Sequence, residues 1–420
     1  MMISPVTSPL VPPPFLRIES HARLLQAWLE SLPPACKIFP AAVSDACLRT
    51  LPPETPTAVV PWQLLSQEAK VDADNLTLDA STACTLASLE SVANQAGLTL
   101  SGVWPQAPAW QNELTLAEVL LRQYQPLQTG GSTLPLRAKV LGLEYLLSCG
   151  TVACVGGRVV KNVTGYDLHK LQLGNAGSLT LPTAAILKLS PRPQARQWLY
   201  QSGMREADVQ TLQVALQQRP YAALQAAIAI QTEAQQDEAW QVWIELAGLP
   251  SLIACAAQAL QASTAQPWQT WEAEGASPVA SMPDPLAWPA LNTVLWQVAH
   301  SGGEGAEGMV LPPAFISTPV TLHRWWNLRS NQHVTTALWG QGEPDADALR
   351  LSTQACPSSV CSPSVWPTGS VLLHHACLTP EAFYHNLPTD AVHRQALTQL
   401  KTAWDVSNRF YSIYFPLHLL

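Results

Sequence analysis

The residues of this chain that could do chemistry are concentrated in one segment. It reads GGRVVKNVTGYDLHKLQLGNAG, from Gly156 to Gly177, and it holds five of the 21 glycines of the chain. Glycine lets the main chain come close to another group, because it has no Cβ. Backbone N–H groups exposed in this way can donate hydrogen bonds to phosphate oxygens. The segment is therefore expected to lie against either another strand or a ligand.

The composition indicates a folded chain of two or three domains. Its 420 residues are too many for one ordinary core, and 47% of them are hydrophobic. Charged residues make up 12%, about half of the usual share, which is compatible with a subunit buried against a partner. The net charge of −8, without any cluster of Lys or Arg, argues against a nucleic-acid surface.

The sequence also bears on location and on metals. No run of about 18 apolar residues occurs, and the first residues lack the pattern of a secretory signal, so we expect a cytoplasmic protein. The nine cysteines are scattered and read as reduced thiols. The best metal candidate is the group of Cys356, Cys361, His374 and Cys377. Its spacing is looser than that of a zinc knuckle, so small buried thiols are favoured and no metal site is predicted.

Hydrophobic periodicity predicts alternating helices and strands, an α+β pattern that changes character after Pro193. Thr85 is a predicted N-cap, Gly97 a helix terminator, and Pro182 the mark of a bulge or an edge strand. The Gly156-Gly157 pair predicts a β-hairpin between TVACV and RVV. The predicted helices are HARLLQAWLESL, TLASLESVANQA, READVQTLQVALQQR, QDEAWQVWIELAG, SLIACAAQALQAS and HRQALTQLKTAWDV. The predicted strands are TAVVPW, NLTLDAST, LTLSGVWP, VLGLEYLL, SLTLPTAAILKLSPRP, AALQAAIAIQT, GMVLPP and VLLHHA.

The segment GGRVVKNVTGYDLHKL, followed by GNAGSL and by a strand ending in KLSPRP, resembles a known protein family. It is similar to the FAD-binding E subunit of bacterial glycolate oxidase, a member of the vanillyl-alcohol oxidase flavoprotein superfamily. The resemblance is densest from Arg137 to Pro193. It is weaker in NLTLDASTACTLASLESVANQAGLTL and in LKTAWDVSNRF near the end.

The resemblance implies an α+β fold with a two-subdomain PCMH-type FAD-binding domain and an α+β cap domain. Residues 1–19 then form a Pro-rich N-terminal segment, and residues 20–195 form the flavin domain. Residues 196–420 form the cap, with a C-terminal helix that returns to the flavin domain.

The resemblance also implies noncovalent FAD, bound weakly or lost. Gly165, Tyr166 and Asp167 would lie near the flavin, and Gly174 and Gly177 near the adenosine or the pyrophosphate. The full set that the resemblance places along FAD is Lys161, Asn162, Gly165, Tyr166, Asp167, Gly174, Gly177 and Ser178. Taken singly, each has a structural explanation, such as a helix cap for Asp167 or a core aromatic for Tyr166. No catalytic residue is named.

The sequence departs from the family at two places that matter for FAD. The stretch TAVVPWQLLSQEAKVDADN stands where the family carries a glycine-rich pyrophosphate loop, and it has no glycine. At Thr115–Glu118 the family's two glycines are replaced by larger residues. Glu118 is an anion, which is unfavourable beside a diphosphate. No histidine stands in such a loop to attach the flavin covalently.

Two functions follow from these observations. In the first, the chain is a FAD-binding oxidoreductase subunit that takes part in oxidising a small 2-hydroxy acid, glycolate or D-lactate. Its partners would be a sister flavin subunit and an iron–sulfur subunit of a glycolate oxidase-like complex. In the alternative, the chain is a non-catalytic structural subunit with the flavin fold and a degenerate FAD site.

Overall fold

A computed structural model describes most of the two sheets of this chain and the helices that cover them. The described residues are 21–40, 51–52, 54–100, 115–121, 139–157, 168–173, 175, 177–218, 221–232, 239–264, 266–271, 294–301, 320–329, 332–339, 369–375 and 391–411.

Helices and strands alternate along the chain. The helices are α1 His21–Ser31, α2 Leu86–Gln95, α3 Leu116–Leu121, α4 Leu168–Gln172, α5 Glu206–Gln218, α6 Pro250–Ser263 and α7 Ala391–Trp404. The strands of the first half are β1 Lys37–Phe39, β2 Thr57–Val59, β3 Ala69–Asp72, β4 Thr77–Ser81, β5 Leu98–Thr99, β6 Val140–Leu146, β7 Val152–Gly156, β8 Leu181–Lys188 and β9 Ser190–Pro191. The strands that follow are β10 Ala195–Met204, β11 Leu224–Thr232, β12 Trp240–Gly248, β13 Gln269–Trp271, β14 Val294–Ser301, β15 Val320–Asn327, β16 Gln332–Trp339 and β17 Gly369–His375.

The N-terminal part is a small unit built around two parallel strands. Strand β1 pairs with β2, and residue Ile38 also bridges to Phe410 near the end of the chain. Helix α1 buries Leu25 and Leu29 in a cluster with Ile38, Val60 and Phe410. The amphipathic pattern of HARLLQAWLESL correctly predicted this helix, and its apolar stripe accounts for the contact.

A five-stranded antiparallel sheet follows, in the order β3-β4-β8-β6-β7. Helices α2 and α3 cover one face of it. Leu89 of α2 and Leu120 of α3 share a core cluster with Leu78, Leu143 and Leu187 of the sheet. Alternation correctly predicted β4 and β8, because Leu78 and Ala80 of β4 and Ala185 and Leu187 of β8 face this cluster. The strand predicted at VLGLEYLL is β6.

An eight-stranded antiparallel sheet forms the second layer, in the order β13-β10-β12-β11-β15-β16-β14-β17. Helices α5 and α6 pack on one face through Leu212, Ile253 and Leu260. The other face contributes Trp198, Ile228 and Trp243 to the core cluster of the five-stranded sheet. The two sheets therefore share one apolar core.

The N-cap and the end of α2 and the bulge in β8 were predicted correctly. Thr85 is the N-cap of α2, and its hydroxyl accepts a hydrogen bond from the Ser88 N–H at 3.3 Å. Gly97 has a φ of +72° just past the helix. The pairing of β6 with β8 shifts register where Tyr145 meets Pro182, which is the bulge that the proline indicated.

One prediction of local structure was wrong, and another is not tested by the described residues. The segment QDEAWQVWIELAG was predicted as a helix, but Trp240–Gly248 is strand β12 in the middle of the larger sheet. Its apolar residues are buried on both faces, so periodicity could not separate a buried strand from a helix. Gly156 ends β7, which is joined to β6 by the turn at residues 147–151. The hairpin predicted at Gly156-Gly157, between TVACV and RVV, stays a prediction. The stretch RVV lies outside the described residues.

Along the parts of the chain that the structure describes, no helix is both long and apolar enough to cross a bilayer. GMVLPP and the metal candidates Cys356, Cys361 and Cys377 lie outside the described residues.

Candidate functional site

The predicted site segment ends in a buried network of amide side chains just after α4. The Gly177 N–H donates to Asn175 Oδ1 at 2.7 Å, and Asn175 Nδ2 donates to Gln172 Oε1 at 3.0 Å. The hydroxyl of Thr180 donates to the same Gln172 oxygen. Gln172, Asn175 and Thr180 are each less than 5% exposed. The network fixes the orientation of the Gln172 amide, because the Gly177 N–H makes Asn175 Oδ1 an acceptor and leaves Nδ2 as the donor.

One donor of this network has no acceptor among the described residues. Within that part of the chain Gln172 Nε2 is buried without a hydrogen-bond partner, although both donors to its Oε1 are in place. A buried polar group without a partner costs about 1–3 kcal/mol. The network is therefore complete only when an acceptor atom is supplied to Gln172 Nε2.

The packing of the chain itself requires glycine at position 177. Its φ is +79°, and a Cβ at this position would lie 2.9 Å from the ring of Pro40. The next residue, Ser178, is 1% exposed, and its carbonyl oxygen accepts a hydrogen bond from Lys401 Nζ at 2.8 Å. Both predicted site residues that the structure describes are therefore held by contacts within the chain.

The C-terminal helix α7 closes over this loop through a buried ion pair. Lys401 pairs with Asp405, and its Nζ also donates to the carbonyl of Phe410 at 2.7 Å. Asp405 in turn accepts hydrogen bonds from the N–H groups of Arg409 and Phe410, each at 2.9 Å. Burial lowers the pKa of Lys401, while Asp405 opposes that change. The C-terminal segment is thus anchored on the loop that carries Ser178.

Apolar contacts place α7 on the same loop. Leu179 packs against Leu397, Leu400 and Trp404, and the ring of Trp404 lies 6.4 Å from that of Tyr145 in β6. These partners are more than 200 residues apart in sequence, so no local pattern could have predicted them.

A second feature of interest is the start of α3, where the family's two glycines are replaced. The Thr115 N–H donates to Glu118 Oε2 at 2.8 Å, and the Glu118 N–H donates back to Thr115 Oγ1 at 3.3 Å. This reciprocal pair is a capping box, with the carboxylate at the positive end of the helix. Glu118 therefore occupies the position where an external anion would otherwise bind.

The remaining N–H groups of this helix start are also taken. Leu116 N–H donates to the carbonyl of Cys84 at 2.9 Å, and Ala117 N–H donates to that of Thr82 at 2.8 Å. The start of α3 consequently offers a phosphate no free donor among residues 115–118.

Strand β7 brings a carboxylate and a thiol together on the five-stranded sheet. Glu144 accepts a hydrogen bond from the Thr183 hydroxyl at 2.7 Å, and Cys154 Sγ lies 3.9 Å from its other oxygen. Burial, together with the neighbouring Glu144 carboxylate, raises the pKa of the Cys154 thiol to about 11. A thiol with such a pKa stays protonated at neutral pH, so Cys154 is a poor nucleophile.

The larger sheet buries a carboxyl group that sequence reasoning missed. Glu245 of β12 is 2% exposed and pairs with Arg196 of β10 at 3.0 Å. Burial raises the pKa of Glu245 to about 7, and Arg196 only partly opposes this. The signal in the sequence was a single acidic residue inside the apolar run WQVWIELAG.

The structure describes two of the eight predicted site residues, Gly177 and Ser178. The other six lie outside the described residues: Lys161, Asn162, Gly165, Tyr166, Asp167 and Gly174.

No family model matches the chain. Short segments match curated proteins. The chain is 43% identical over 63 residues to the glycolate oxidase subunit GlcD of Bacillus subtilis, covering 15% of this chain and 13% of that protein. It is 43% identical over 56 residues to the glycolate oxidase subunit GlcE of Escherichia coli, covering 13% of this chain and 16% of that protein. It is 31% identical over 127 residues to a D-lactate dehydrogenase of Archaeoglobus fulgidus, covering 30% of this chain and 27% of that protein. The matches thus span well under a third of these relatives.

Solved structures resemble the chain over most of its length. An alkyldihydroxyacetonephosphate synthase superposes with a TM-score of 0.59 at 15% identity, covering 95% of this chain and 74% of that one. A 4-ethylphenol oxidase from Gulosibacter chungangensis superposes with a TM-score of 0.56 at 11% identity, covering 87% and 82%. At such low identity these superpositions establish the fold. This fold is the PCMH-type α+β fold, and the short sequence matches are to glycolate oxidase subunits and a D-lactate dehydrogenase.

Proposed function

We propose that this chain binds FAD and takes part in oxidising a small 2-hydroxy acid such as glycolate or D-lactate. The observation that carries the proposal is the buried network after α4, which ends in an unpaired donor on Gln172. The local identity to glycolate oxidase subunits and to a D-lactate dehydrogenase supports the choice of substrate class.

The residues of the loop after α4 fit an acceptor-rich group such as FAD. Gln172 Nε2 is a buried donor that requires an acceptor, and phosphate oxygens, ring carbonyls and ring nitrogens of FAD are all acceptors. The start of α3 does not fit the diphosphate, since its N–H groups are already bonded and Glu118 is an anion. FAD is therefore expected to be held from the loop after α4 and not from the start of α3.

Each described residue of the loop would have a defined task. Gln172 would donate to the cofactor, while Asn175 and Thr180 hold the Gln172 amide in the orientation that permits this. Lys401 would fix the course of the main chain at Ser178. FAD supplies the acceptance of a hydride, and the protein supplies binding and orientation. The predicted contacts of Lys161, Asn162, Gly165, Tyr166, Asp167 and Gly174 with FAD belong to the same proposal.

The finer assignment is to a subunit similar to the E subunit of glycolate oxidase. A sister flavin subunit and an iron–sulfur subunit would then be its partners. The low charged fraction of 12% supports burial against other chains. The division into a flavin domain at residues 20–195 and a cap at residues 196–420 is also part of this proposal.

The proposal is tested by anaerobic reduction. The purified chain, loaded with FAD and desalted, is mixed with glycolate or D-lactate, and the visible absorption band of the flavin is followed. Bleaching by one of the two acids, with L-lactate as the control, is the expected result. A loaded protein whose band neither acid bleaches, alone or with its partner subunits, rules out the substrate class.

A second function is favoured by one specific observation. The closed start of α3, with Glu118 bonded to Thr115, is what a chain that keeps the fold without the cofactor would carry. In that case the chain is a structural subunit of the complex. A protein that takes up no FAD but still assembles with flavin and iron–sulfur subunits would establish this function instead.

A further inference from the structure

Lys139 is a buried amine that the proposed function does not use. It lies just before β6 and is 3% exposed. Its one hydrogen bond within the described part of the chain goes from Nζ to Ser190 Oγ, at 3.4 Å. That distance is long for an N–H···O bond, and an ammonium group has three donors to satisfy.

The described surroundings of Lys139 add positive charge and contain no carboxylate paired with it. The pKa of Lys139 is lowered first by burial and then by Lys188, the last residue of β8. The ion pairs between described residues join Arg196 to Glu245, Arg205 to Asp208 and Lys401 to Asp405, and none of them includes Lys139. Burying a cation without a counter-ion is costly. Among the residues that the structure describes, the site therefore lacks one negative charge.

Lys139 also lies where the two sheets meet. Ser190 belongs to β9, which pairs with β5. Along the sequence, β9 lies between Lys188, the last residue of β8 in the five-stranded sheet, and Ala195, the first residue of β10 in the larger sheet. The neighbours Val140 and Leu189 belong to the core cluster that also includes Trp198 of the larger sheet. A group bound at Lys139 would thus be enclosed by residues of both sheets.

We propose that Lys139 Nζ and Ser190 Oγ form a binding site for an anionic oxygen group of a ligand, a carboxylate or a phosphate. Both side chains can donate hydrogen bonds, and one negative charge would neutralise the buried ammonium. The four-carbon stem of lysine lets Nζ move onto the ligand from its present position. This inference rests on the proposed function for its two candidate ligands, the carboxylate of the 2-hydroxy acid and the diphosphate of FAD.

The test uses the full chain and three probes: inorganic phosphate, glycolate and FAD. Lys139→Met removes the charge with little change in length, and Ser190→Ala removes the hydroxyl alone. Lys70→Met is the matched control, because Lys70 is an exposed lysine of the same sheet. Melting temperature without ligand checks folding, and it is expected to be unchanged or higher in Lys139→Met, which no longer buries a charge.

Charge-assisted hydrogen bonds predict a loss of roughly ten- to a hundredfold in affinity for the anion in Lys139→Met. Ser190→Ala is expected to lose less, and Lys70→Met nothing. If the weakened probe is glycolate, with FAD affinity retained, the anion is the substrate carboxylate. If it is FAD, the anion is the diphosphate. Equal binding of all three probes by Lys139→Met and the parent chain overturns the inference.

Phosphate separates this inference from the proposed function. A chain that binds phosphate through Lys139 but takes up no FAD supports the anion site and refutes the proposed function. If Lys139→Met binds FAD and oxidises glycolate as well as the parent chain does, the proposed function is supported and the anion site at Lys139 is refuted.

Discussion

Glu118 Oε2 lies 2.8 Å from the main-chain nitrogen of Thr115 and 3.0 Å from its hydroxyl oxygen. One carboxylate thereby closes the start of α3, where the resemblance to the flavoprotein family leads us to expect two glycines. Sequence reasoning identified Glu118 as an obstacle to a diphosphate there. The structure adds that the same carboxylate stabilises the helix.

The capping box makes a direct prediction about stability. Glu118→Ala is expected to lower the free energy of unfolding by about 1 kcal/mol, since it leaves the Thr115 N–H without its acceptor. Urea denaturation measures the change. Glu206→Ala, an exposed glutamate in the first turn of α5, is the control and is expected to stay within about 0.5 kcal/mol. Equal effects of the two substitutions would show that the cap contributes nothing.

The close packing of the main chain at the end of β7 predicts that one added methyl group at Gly156 strongly lowers stability. A Cβ at Gly156 would lie 2.2 Å from the carbonyl oxygen of Leu141 and 2.7 Å from Gly142 Cα, and the φ of Gly156 is +80°. Gly156→Ala is therefore expected to cost more than about 2 kcal/mol of stability. Gly157→Ala is the matched control, because its Cβ would meet nothing within 4 Å. A Gly156→Ala protein as stable as this control would contradict the close approach of β7 to β6.

The buried carboxyl of Glu245 predicts a dependence of stability on pH. Its pKa is raised to about 7, above the value of about 4.3 in an unfolded chain, so folding favours the protonated form. The stabilising contribution of Glu245 to the free energy of unfolding is then fully present below about pH 4, and it is lost as the pH rises through about 7.

Replacing Glu245 by Gln tests this dependence. The free energy of unfolding of Glu245→Gln, relative to the parent chain, is expected to rise between pH 4 and pH 8 by on the order of 2 kcal/mol. Denaturation at several pH values measures it, with Glu206→Gln as the exposed control. Parallel curves for Glu245→Gln and the parent chain would show that Glu245 is ionised throughout this range.

Helix α2 and most strands of the five-stranded sheet could be predicted, because their signals are local, whereas helix α3 was not predicted. Thr85 and Gly97 mark the ends of α2, and alternation reveals β4 and β8. The strand β12 was mistaken for a helix, because WQVWIELAG is apolar on both faces.

The site was less accessible to sequence reasoning. The glycine-rich segment was recognised, but the contacts of Gln172, Lys139 and Glu245 depend on partners brought together by folding. Lys139 bonds to a serine 51 residues away, and Ser178 to a lysine 223 residues away. The charge pattern of the sequence carries no signal for such pairs.

The unpaired amide of Gln172 predicts a specific effect on cofactor binding. Gln172→Leu is expected to weaken FAD binding by roughly tenfold, because the donor is lost while the side chain stays buried. Gln213→Leu is the matched control, since Gln213 is a buried glutamine of α5. Quenching of flavin fluorescence during titration measures both. A Gln172→Leu protein with the affinity of the control would exclude Gln172 from the FAD site.

The central claim is that this chain holds FAD. The most direct measurement is the visible absorption spectrum of the purified protein, recorded after incubation with excess FAD and desalting, alone and together with the proposed flavin and iron–sulfur subunits. The account predicts a retained flavin band with about one FAD per chain, the ratio for a single site. A protein that emerges colourless in both preparations would contradict the account and leave a structural subunit with a flavoprotein fold.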